Sequence, residues 1–113
     1  MEELLNKAII VSESCVSDCL KHSNNSSMSL CIRNCLVNER ICKALKTAIK
    51  NKCNQSVLNS LKEACLESGL CVVEECSKHQ MKCCKDCVVH ISKLNNKLKL
   101  KSSKKKSSKK KSK

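Results

Sequence analysis

A chain of 113 residues with no Phe, Tyr, Trp or Pro and a single glycine, Gly69, lacks the punctuation that sheets and hairpins need. It also lacks the aromatic groups that fill large cores. Its net charge of +13 is uneven: Lys97 to Lys113 holds 10 lysines and no acid, and the other 96 residues carry 13 basic and 10 acidic groups.

These features predict one all-α domain built from Leu, Ile, Val, Ala and 12 cysteines. No segment approaches the ~20 apolar residues of a membrane span. The N-terminus, Met1-Glu2-Glu3-Leu4-Leu5, is acidic, and the apolar run from Ala8 to Val11 is shorter than a signal h-region of roughly 7–15 residues. A reducing, cytoplasmic setting is therefore expected, with the nucleus as an alternative in a eukaryotic or viral source.

The first helix is expected over Glu2 to Lys21, with Leu4, Leu5, Ala8, Ile9, Ser12, Cys15, Val16 and Cys19 on one side. His22 to Ser27 reads as a loop, and Ser27 as the N-cap of a second helix over Met28 to Asn51. That helix carries the stripe Cys31, Cys35, Asn38, Cys42, Leu45, Ile49. Asn54 or Ser56 caps a third helix over Val57 to Lys78, with the stripe Leu58, Leu61, Cys65, Gly69, Val72, Cys76. Gly69 there permits either a close approach or a break at Ser68-Gly69. A fourth helix starts near Gln80 and carries Cys83 or Cys84, Cys87, Ile91, Leu94 and Leu98. Beyond it the Lys/Ser-rich stretch has nothing to bury and is expected to be disordered. The domain reading is a Cys-rich bundle over residues 1–98 and a tail over 99–113.

The cysteines are written in helical phase. Cys15 and Cys19 are four apart, as are Cys31 and Cys35; Cys31, Cys42 and Cys53 are spaced by eleven, as are Cys65 and Cys76. Four residues is about one turn and eleven about three. Short connections predict an antiparallel up-down-up-down four-helix bundle, in which the 1–2 and 3–4 loops share one end, the mouth. Cys19, Cys31, Cys76 and Cys83/Cys84 then lie about one turn deep, Cys15, Cys35, Cys71 and Cys87 about two, and Cys42 and Cys65 about four. Leu4, Leu5, Leu45, Ile49, Leu58, Leu61, Leu94 and Leu98 fill the other end. Cys71 falls off the stripe, and Cys53 sits in the far loop.

His22 and Met28 flank the first loop and His79 and Met81 the third, so candidate ligands besides thiols gather at the mouth. Thiolates with thioethers select Cu(I), whereas zinc wants four ligands in a tetrahedron, commonly on C-x2-C turns. The one C-x2-C, Cys84 to Cys87, lies on a predicted helix. A ladder of paired thiols suits several low-coordinate Cu(I) ions. The alternatives are buried cysteines as small hydrophobes, or a disulfide scaffold. The twin C-x9-C pattern of oxidised helical hairpins is not met, because the spacings are C-x10-C. No cysteine has a sequence-evident base and orienting partner, no Gly-rich phosphate loop occurs, and Glu74 and Glu75 read as a solvated face. A non-enzymatic role is expected.

From Ser14 to Ile91 the chain resembles the bacterial copper storage proteins, Cys-rich four-helix bundles of ferritin-like shape. Cys76, His79, Cys84 and Cys87 fit the family's Cys-x2-His and Cys-x2-Cys segment. Met81 and Cys83 stand where members often have histidines, and Cys15, Cys19, Cys31 and Cys42, with Ile32-Arg33, also match. The resemblance implies a tube that takes up several Cu(I) ions through its mouth without catalysis, in tetramers of bundles. Ala8, Ser12, Asn38, Lys62, Gly69, Val72 and Ile91 stand at or near positions where members often carry cysteine, so the expected capacity is lower and confined to the mouth half.

The expected ligands are Cys15, Cys19, Cys31, Cys35, Cys42, Cys65, Cys76, Cys83, Cys84 and Cys87, with His22, Met28, His79 and Met81 at the mouth. The rival reading is a nucleic-acid-associated protein that binds phosphates through its lysine tail, with a structural or zinc-binding helical body. Without aromatics it offers no stacking platform for single strands.

Overall fold

The computed structural model describes residues 1–21 and 28–111. Four helices run in chain order: α1, Glu2–Lys21; α2, Ser29–Lys50; α3, Gln55–Cys76; and α4, Lys82–Lys111. Each packs against its neighbours around a ring, α1 on α2, α2 on α3, α3 on α4 and α4 back on α1. This is the up-down-up-down four-helix bundle that the loop lengths predict. Among the described residues there is no strand, and no helix is long and apolar enough to cross a membrane.

The helix ends explain the turns. At the end of α2, Lys52 takes a left-handed φ of 54°. The Lys52 amide then donates to Ile49 O at 3.1 Å and the Cys53 amide to Ala48 O at 3.0 Å. This pair of bonds is a Schellman turn, usually built on glycine, and it puts Cys53 on the outside of the far loop. Asn54 then caps α3, its Oδ1 accepting from the Val57 amide at 3.0 Å, as expected. Ser27 and the rest of the expected first loop lie outside the described residues; the position preceding α2 is Met28, which makes no capping bond and is buried instead.

Gly69 does not break α3, which is continuous to Cys76. The glycine is buried, and a Cβ there would collide with Oδ1 of Asn95 on α4. It therefore serves the close approach of α3 and α4.

Among the side chains described, Leu98 is the last on α4 that is buried. The helical backbone of α4 continues through the lysine-rich stretch to Lys111. Lysine is a good helix former, and neither Gly nor Pro interrupts the run.

The core changes character along its axis. Toward the α1–α2 and α3–α4 connections it is sulfur; at the opposite end it is Leu5, Ala8, Leu45, Leu94 and Leu98. Outside this core, Lys43 Nζ bridges Glu39 Oε2 of its own helix at 2.6 Å and Glu13 Oε2 of α1 at 3.0 Å. Glu39 is itself buried, and Lys43 holds its carboxyl below the usual carboxylate range.

Candidate metal centre

Ten of the twelve cysteines are buried, and Cys53 and Cys71 are exposed. The helical phase produces this division. Cys15 and Cys19 follow one another on the inner face of α1, and Cys31, Cys35 and Cys42 on that of α2. Cys65 and Cys76 do so on α3. Cys71 falls between the α3 pair in sequence but a different way round the helix, and it reaches solvent.

Cys15 is the hub of the mouth cluster. Its Sγ lies 3.8 Å from Cys19, 3.7 Å from Cys31 and 3.8 Å from Cys84. Cys31 lies 3.5 Å from Cys76 and 3.8 Å from Cys84, and Cys35 lies 4.0 Å from Cys76. Two four-thiol groups result: Cys15, Cys31, Cys35 and Cys76, and Cys15, Cys19, Cys31 and Cys84, each with its sulfurs within 4.8 Å of one another. Cys15 and Cys31 belong to both. The two expected thiol layers are thus interlocked. Cys87 is buried beside them and donates to Val11 O at 3.3 Å, and Cys83 is buried at the α1–α4 edge.

This cluster of buried thiols can hold metal ions. The Cys31 thiol above all, with those of Cys35, Cys76 and Cys87, holds Cys15 well below the usual range. The same bonding to Cys15 keeps Cys31, Cys35, Cys76 and Cys87 protonated beyond it. Burial pushes Cys19 up to about 12 and Cys83 to about 11. Cys84 is raised by burial as well. Burial disfavours an isolated charge, and neighbouring S–H groups stabilise the first one formed.

Cys42 and Cys65 stand apart as a pair, their sulfurs 3.6 Å from each other. Between them and the mouth cluster lies a polar belt. Asn38 Nδ2 donates to Ser12 Oγ at 3.3 Å, and Ser68 Oγ donates to Asn38 Oδ1 at 2.7 Å. Hydrogen bonding lets these polar groups sit inside an otherwise apolar tube. Val72 on α3 and Ile91 on α4 are also fully buried.

At the mouth, Met28 is buried and Met81 packs partly buried against the core, whereas His22 lies outside the described residues. His79 is not part of either four-thiol group. Its Nε2 lies 2.9 Å from Glu75 Oε2, and both side chains are largely enclosed. Glu75 therefore departs from the solvated face expected of it: its last-turn position on α3 turns it toward the 3–4 connection, where His79 covers it and holds its carboxyl below the usual range. Glu74 is exposed as expected. Held at Nε2, the imidazole keeps Nδ1 for another partner.

Ser12 and Asn38 occupy the stripe expected of them, but their union with Ser68 depends on three helices meeting. Asn95 was open to the same reasoning, since it continues the spacing of Cys87 and Ile91 by one further turn. It is buried, and its Oδ1 accepts no hydrogen bond among the described residues. Comparison with family models, with curated proteins and with solved structures finds no match to this chain.

Proposed function

We propose that this protein binds several Cu(I) ions as thiolate complexes in the mouth half of its bundle, and so stores or sequesters copper without catalysis. The observation that carries the reading is the sharing of Cys15 and Cys31 between two four-thiol groups. Independent tetrahedral zinc sites would draw on separate sets of four ligands. Overlapping groups favour bridging thiolates and ions satisfied by two or three sulfurs, which is the preference of Cu(I). Met28 and Met81 add thioethers at the same end, and His79, oriented by Glu75, adds an imidazole nitrogen. The likeness of Cys76, His79, Cys84 and Cys87 to the copper storage pattern agrees with this chemistry.

Each thiol that becomes a ligand gives up its proton, so loading acidifies an unbuffered solution. The test is an anaerobic Cu(I) titration of the reduced chain against a chelator of moderate affinity. Several Cu(I) per chain, retained against the chelator, support the reading. Binding of one or two ions with zinc preferred overturns it.

The lysine-rich end supports a second, compatible role. Ten lysines without an acid between Lys97 and Lys113 favour a polyanion such as nucleic acid, with an affinity that falls as salt rises. Removing residues 99–113 should abolish that binding and leave copper capacity unchanged.

A further inference from the structure

We infer that Cys42 and Cys65 form a separate inner site for one soft monovalent metal ion, held between two thiolates and closed off from the mouth cluster by the Ser12–Asn38–Ser68 belt. The inference rests on the copper reading above and divides the tube into two compartments.

The pair lies 3.6 Å apart, close enough to share one ion. On the mouth side, Ser12, Asn38 and Ser68 are joined across α1, α2 and α3, with Ser12 and Asn38 fully buried. On the far side stand Leu5, Ala8, Leu45, Leu94 and Leu98. The pair therefore stands between the polar belt and the leucines, and two sulfurs are its soft ligands. Two sulfurs satisfy a Cu(I)-like ion and fall short of zinc's four. Asn95 Oδ1, an acceptor without a donor, sits against Gly69 one helical turn from Cys65, which favours a cation at that depth over a purely apolar filling. On binding, the two S–H protons leave to water and one cation enters, so the site goes from neutral to a charge of −1.

The belt is the barrier to exchange. An ion moving between compartments must part Asn38 from Ser12 and Ser68, which joins α1, α2 and α3 at one level. An ion inside should consequently leave more slowly than those in the mouth.

The experiment loads the full-length reduced chain with Cu(I) under anaerobic conditions and follows its removal by excess high-affinity Cu(I) chelator. Wild type should release copper in two phases, the slow one amounting to a single ion per chain. Cys42→Ser with Cys65→Ser should lose that phase and that ion while keeping the fast phase. Cys42→Val with Cys65→Ala, apolar and similar in volume, repeats the test if the serine variant does not fold by circular dichroism. Asn38→Ala should keep the slow ion and speed its release by about tenfold, the effect of losing one or two net hydrogen bonds. Single-phase release from wild type, or a slow phase that survives loss of both thiols, overturns the inference with the copper reading intact. A thiol count showing Cys42 and Cys65 oxidised to a disulfide in the loaded protein also overturns it. A wild-type chain that takes up no Cu(I) removes the copper reading itself.

Discussion

The two halves of the bundle use the same four helices and the same packing, yet one is lined by Cys15, Cys31, Cys35, Cys76 and Cys84 and the other by Leu5, Leu45, Leu94 and Leu98. A buried thiol packs as a small hydrophobe, so the mouth half can close without metal. The leucine half buries larger side chains and carries more of the apolar stabilisation per residue. Binding and folding are thus assigned to different ends, unlike a small zinc domain whose folding energy is its metal.

The separation is most directly broken at the hub. Cys15→Ser with Cys31→Ser removes two ligands from each four-thiol group, and the Cu(I) load measured by titration should fall by more than half. Helicity should persist, because the leucine half is untouched. Leu45→Ala tests the converse. Its buried side chain should cost about 2–5 kcal/mol of stability in denaturant unfolding, as large-to-small core changes do, with the copper load per folded chain unchanged.

Alkaline pH separates the halves without mutation. Eight buried thiols are held above their ordinary 9.0, Cys19 to about 12 and Cys83 to about 11 among them, and Cys15 and Cys65 run the other way. Between pH 9.0 and about 12 the unfolded chain has released protons that the native chain still holds at the raised thiols. Stability of the metal-free protein should therefore be undiminished by these groups below pH 9 and fall as pH rises through that window. Thermal unfolding read at several pH values checks this, and copper loading, which has already removed the protons, should flatten the dependence.

A smaller effect is expected where α3 meets α4. Gly69→Ala places a methyl against the Asn95 carboxamide and should cost about 1–3 kcal/mol, the usual range for overpacking. Combining it with Asn95→Ala should recover part of the loss in a double-mutant cycle. The smallest effect belongs to Cys53, exposed at the leucine end: Cys53→Ser should leave both load and melting temperature unchanged, and a lost ion would show that the two ends are not chemically distinct.

Helical phase is a local property, and it was readable residue by residue. Spacings of four and eleven place cysteines on one stripe whatever the stripe faces, so the all-α class follows from periodicity, and the sulfur-rich and leucine ends from periodicity with short connections, while the place of Cys71, off the stripe, stayed open. Asn54 is a cap because its side chain meets its own helix. Which sulfur meets which is different in kind. The sharing of Cys15 and Cys31, the interlocking of the two thiol layers, the belt from Ser12 through Asn38 to Ser68 and the contact of Gly69 with Asn95 each join separate helices. They depend on the rotation and axial offset of one helix against the next, and a shift of a single residue, about 1.5 Å and 100°, would dissolve them. Glu75 shows the same limit at a helix end: its spacing matched a solvated face, and only the path of the 3–4 connection brought His79 over it.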